Sequence, residues 1–81
     1  MNKAIADLIT EIQATESEAC FTGLFNRGYE LLALDDQTAS RVFDTSEPTI
    51  RRWRRGVVVP PVAGLVLKFL VEELRSADVG G

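Results

Sequence analysis

Four arginines stand in five positions, Arg51-Arg52-Trp53-Arg54-Arg55, and they close a stretch, Gln37 to Gly56, whose punctuation leaves little choice of local fold. Ala39, Val42 and Phe43 recur at helical spacing, and Asp44 follows where a short polar residue tolerates positive φ. A first helix therefore stops near Asp44. Thr45 and Ser46 are each able to accept from an early backbone N–H, and Pro48 falls in a first turn whose N–H groups have no helical partner, so a second helix starts here. Gly56 ends it as a C′ residue. At about 100° per residue, Ile50 and Trp53 share one face, continued by Val57, and face the core. Pro48, Arg51, Arg52 and Arg55 point the opposite way, with Glu47 and Arg54 on the flanks.

The stretch resembles the helix-turn-helix of phage repressor and Cro-like (XRE-type) DNA-binding proteins. The resemblance rests on Ala39/Ser40, Phe43, Asp44, Ser46, Ile50, Trp53, Gly56 and Pro60, and it extends more loosely to about Leu74. Asp44 stands where that pattern has Gly, and Thr45 where it has Val or Ile. The resemblance implies a lambda-repressor-like DNA-binding domain: all-α, a compact bundle of about five helices, with the helix of residues 46–55 in the major groove.

With 81 residues the chain is expected to form one domain around a single modest core. One cysteine and no histidine exclude an intrachain disulfide, the usual zinc ligand sets and His-dependent acid–base catalysis. Cys20, inside an apolar stretch, is expected to be a small core side chain. Neither a signal peptide nor a transmembrane helix is legible, so a cytoplasmic location is expected, and the resemblance implies a bacterial or phage-encoded protein that is nucleoid-associated when bound. The net charge of −3 is unevenly spread. Residues 1–36 carry Lys3 and Arg27 against seven acids, a net −5; residues 37–56 carry five arginines against Asp44 and Glu47, a net +3; residues 57–81 carry Lys68 and Arg75 against three acids, a net −1. Positive charge focused on one element suits an oriented approach to a polyanion.

Around this unit the remaining chain reads as support. Ile5, Leu8, Ile9 and Ile12 make residues 1–14 an amphipathic accessory helix, which either packs on its own domain or contributes to a dimer contact. Thr15 and Glu18 suit a capping box for a helix from about Ser17 to Ala33, with Phe21, Leu24, Phe25, Leu31, Leu32 and Leu34 as core candidates. Gly23 and Gly28 inside it mark either a close helix approach or a break near Asn26-Arg27-Gly28. Tyr29 is read as a half-buried structural residue, with a hydrogen bond to phosphate as the alternative, and Asp35 and Asp36 as cap and favourable charge for the helix that follows. A last helix is expected over 61–77, opened by Pro61, and its apolar residues cover more than one face. That surplus points to a homodimer through Leu67, Leu70, Val71 and Leu74, unless the first helix covers the second side.

Arginine forks match phosphate oxygens and, in the major groove, guanine O6 and N7. Arg51, Arg52 and Arg55 are the expected base readers, with Glu47 able to accept from cytosine N4 and Pro48 on the same outward face. Arg54, Ser46 and Thr49 are expected at the DNA backbone, as are Gln37 and Thr38, the latter equally readable as plain capping. The expected function is sequence-specific transcriptional regulation with double-stranded DNA as partner and no cofactor. The alternative is a protein-interaction module on the same scaffold, antitoxin-like or a phage packaging subunit. An enzyme is not expected, since the acids are scattered and no glycine-rich phosphate loop is present.

Overall fold

The structure, a computed structural model, describes residues 3–14 and 20–80, with side chains as far as Asp78. It is all-α: α1 (Lys3–Ala14), α2 (Phe21–Leu31), α3 (Asp36–Val42), α4 (Glu47–Arg54) and α5 (Pro60–Gly80), with no strand among the described residues. The Thr15–Glu18 capping box and the helix start at Ser17 lie outside those residues. None of the described helices is long and apolar enough to cross a membrane.

Three of the helices end in the same way. After α2, α3 and α4 the chain turns through a left-handed residue, Ala33 (φ 52°), Asp44 (φ 52°) and Gly56 (φ 86°). In each case two backbone bonds close the helix end: Leu34 N–H to Tyr29 O (3.0 Å) and Ala33 N–H to Glu30 O (3.0 Å), Thr45 N–H to Ser40 O (2.9 Å) and Asp44 N–H to Arg41 O (3.3 Å), Val57 N–H to Arg52 O (2.9 Å) and Gly56 N–H to Trp53 O (3.0 Å). This is the Schellman arrangement, which satisfies carbonyls that a helix end leaves orphaned. It was expected at Asp44 and Gly56 but not at Ala33, an ordinary L-residue held in a region that favours glycine. Gly56 is constrained twice, since a Cβ there would also lie 2.5 Å from Thr22 Oγ1 on α2.

The core collects one face from every helix. Leu8 from α1, Phe21 and Phe25 from α2, Ile50 from α4, and Leu70 and Leu74 from α5 are its largest fully buried side chains, and α3 adds Ala39. Phe25 is the hub: its ring lies 5.4–6.1 Å from those of Phe21, Tyr29, Phe43 and Trp53. Phe43 in turn contacts Phe69 of α5 at 5.3 Å. Gly28 marks a close approach and not a break, because a Cβ there would meet the Leu70 methyls at 2.7 Å while α2 runs on uninterrupted.

Several expectations are corrected. Cys20 is exposed at the start of α2, one position before the helix turns Phe21 inward. Val57 is 57% exposed, because the turn at Gly56 rotates the chain so that Val58 packs in its place. The last helix begins at Pro60 and runs to Gly80, beyond the expected 61–77. Most consequential is the surface assigned to a homodimer. Leu70, Val71 and Leu74 are buried in the chain's own core and Leu67 packs against it, since α1 and α2 both lie on α5. The first helix covers the second side, and α5 has no such set to offer a second copy without opening its own core. Its exposed large apolar residues, among the described side chains, are Leu65 and Phe69 instead.

Candidate nucleic-acid interface

The turn between α3 and α4 fixes where α4 begins. Ser46 adopts extended backbone geometry (φ −84°, ψ 156°), and its Oγ accepts from the Thr49 backbone N–H at 3.3 Å, while Thr49 Oγ1 lies 2.8 Å from the same oxygen. Pro48 sits in the first turn, where its missing N–H costs no helical bond. From that start, Ile50 is fully buried and Trp53 packs edge-on against Phe25 and Phe43 at 6.0 and 6.1 Å. Burial of this face fixes the rotation of α4 about its axis. Glu47, Pro48, Arg51, Arg52 and Arg55 consequently lie exposed on the other side.

The arginines are not equivalent. Arg52 Nη2 donates to Thr49 Oγ1 at 3.3 Å and otherwise faces solvent, while Arg55 makes no side-chain hydrogen bond or ion pair among the described residues. Arg51 Nη1 lies 3.7 Å from Asp36 Oδ2. Arg54 turns back onto α2: its Nε donates to Asn26 Oδ1 at 3.0 Å, its guanidinium stacks 4.2 Å above the Tyr29 ring, and Nη1 lies 3.9 Å from Asp36 Oδ1. Asn26 completes a clamp, since its Nδ2 donates to the Arg54 carbonyl at 2.9 Å. A residue expected at the DNA backbone therefore spends its guanidinium on its own domain.

Sequence reasoning missed the partners in this arrangement. Asn26, Tyr29 and Asp36 sit on α2 and at the start of α3, and nothing in their spacing relates them to Arg54, 28 positions beyond Asn26. Tyr29 is buried, and its hydroxyl donates to Asp36 Oδ1 at 2.7 Å. Burial first, and then this bond to a carboxylate, push its pKa from 10.0 up to about 12. Asp35 caps α3 by accepting from the Thr38 N–H at 2.7 Å, which holds its carboxyl below the ordinary range. The Thr38 amide is thus taken by the cap, whereas the side chains of Gln37 and Thr38 are exposed beside it.

Asn26, Glu30, Asp36, Arg51, Arg54 and Arg55 line a shallow polar cleft beside α4. The exposed face of α4 presents the guanidinium donors of Arg51, Arg52 and Arg55, with the Glu47 carboxylate at the beginning of the helix. Compared with family models, curated proteins and solved structures, the chain matches none.

Proposed function

We propose that the protein is a sequence-specific DNA-binding transcriptional regulator of phage-repressor type, acting in the cytoplasm and inserting α4 into the major groove of duplex DNA. The observation that carries the reading is the two-sidedness of α4: Ile50 is fully buried on one side, and Arg51, Arg52 and Arg55 are exposed together on the other. A helix fixed by one face presents a rigid row of donors, and arginine is the side chain best matched to phosphate and to guanine. Glu47, Pro48, Thr49 and Ser46 stand at the end of α4 that would enter the groove first, and Gln37 and Thr38 at the start of α3 flank the phosphates. Arg54 supports the interface by holding α4 against α2.

Fluorescence anisotropy of labelled duplex DNA tests this, with the wild type compared with the Arg51→Ala/Arg52→Ala/Arg55→Ala variant across a salt series. Wild-type binding should weaken as salt rises, with a log–log slope of about −0.9 per phosphate contacted. The triple variant should lose it while remaining helical. Wild-type protein that ignores diverse duplexes at low salt would overturn the reading. That result would favour a protein-interaction module, for which the exposed Val57, Val59, Leu65 and Phe69 are the supporting observation.

A further inference from the structure

Two of the five arginines of residues 37–56 are held at one carboxylate, although the interface as proposed needs its positive charge outward. Asp36 Oδ2 lies 3.7 Å from Arg51 Nη1, and Asp36 Oδ1 lies 3.9 Å from Arg54 Nη1. The carboxylate is itself anchored, because the hydroxyl of buried Tyr29 donates to Oδ1 at 2.7 Å. Arg54 is fastened three ways, by Asn26, by the Tyr29 ring and by Asp36, whereas Arg51 has only the distant Asp36 oxygen. A nucleic-acid phosphate competing for Arg51 therefore takes it from a partner that cannot follow, while Arg54 stays in place.

We propose that Asp36 is a specificity-determining residue: an internal carboxylate that stands in for a phosphate oxygen beside Arg51 and so weakens the attraction of α4 for any polyanion. The inference rests on the DNA-binding reading above and deepens it. Non-specific affinity comes almost wholly from phosphate neutralisation, so one arginine withheld from phosphate lowers it. Base-edge hydrogen bonds from a correct site then have to draw Arg51 outward. The pair is exposed enough to exchange, with side-chain exposures of 51% for Arg51 and 29% for Asp36, so it attenuates binding without abolishing it.

The test compares the wild type with Asp36→Asn and Asp44→Asn. The first keeps an oxygen for the Tyr29 hydroxyl and removes the charge facing Arg51. The second removes the same charge from the turn, where Asn suits the left-handed backbone and the carboxylate is ion-paired with no arginine among the described residues. Each is titrated into a labelled duplex of randomised sequence over a salt series and also eluted from a heparin column. Asp36→Asn should bind the random duplex roughly fivefold more tightly than Asp44→Asn, the worth of one charge pair at this separation in water. Its salt slope should steepen by about 0.9, one more phosphate neutralised. Equal behaviour of the two variants overturns the inference even where the wild type binds DNA. If no form binds duplex DNA, the functional reading fails. Later elution of Asp36→Asn from heparin would then still support the screening role, and co-elution with Asp44→Asn would overturn it. Should Asp36→Asn fail to fold, Arg51→Gln and Arg55→Gln decide: Arg55→Gln should weaken random-duplex binding more, and equal or reversed losses overturn the inference.

Discussion

Tyr29 shows how much one side chain can be asked to do. Its ring supports the Arg54 guanidinium at 4.2 Å, its hydroxyl positions Asp36, and its other contacts join the Phe25 cluster. Because burial and the Asp36 bond both favour the neutral phenol, its pKa lies at about 12 in the folded chain against an ordinary 10.0. Unfolded protein thus releases this proton first as pH rises. The stabilisation is complete below about pH 10 and is lost progressively as pH climbs to about 12. The chain has a single tyrosine, so its ultraviolet tyrosinate band reports this group alone. Titration at the ordinary value would show that the Tyr29–Asp36 bond does not persist in solution.

At the scale of the element, α4 is eight residues long, too short to be helical alone, and its position depends on attachments at both sides. Ile50 and Trp53 supply one; the Arg54–Asn26–Tyr29 clamp supplies the other. Arg54→Ala removes a charged hydrogen bond and a cation–π contact, and should lower stability by about 1–2 kcal/mol. Denaturant unfolding followed by the single Trp53 measures it. Unchanged stability combined with weaker DNA binding would return Arg54 to the role its sequence position suggested, a backbone contact.

At the scale of the whole molecule, the described helices share one core. The radius of gyration, 11.7 Å, equals the roughly 11.7 Å expected of a folded chain of this length, and α1, α2 and α5 close the core without a second copy. Leu70→Ala should accordingly cost about 2–5 kcal/mol as a core cavity, and the melting temperatures of wild type and variant should not vary with protein concentration. A melting point that rises with concentration would show instead that folding is coupled to association of copies. Charge is also organised at this scale. The first 36 residues carry a net −5 and residues 37–56 a net +3, with Asp36 Oδ2 lying 3.7 Å from Arg51 Nη1 where the two regions meet.

Periodicity and punctuation are local properties, and the helices they specify are those the chain forms. The Ile5/Leu8/Ile12 stripe, the Ser46 cap, the positive φ at Asp44 and Gly56, and the inward Ile50 opposite the outward arginines were all legible, because each depends on neighbours within a turn or two. What depended on distance was not. Whether Leu70, Val71 and Leu74 met a partner or their own domain was decided by where α1 came to lie. Four similar arginines became two solvent-facing donors, one loosely paired donor and one structural clamp only when α2 and the start of α3 were brought against α4. Helical spacing assigns a side chain to a face of its own helix, but its partner there is set by packing between elements far apart in sequence.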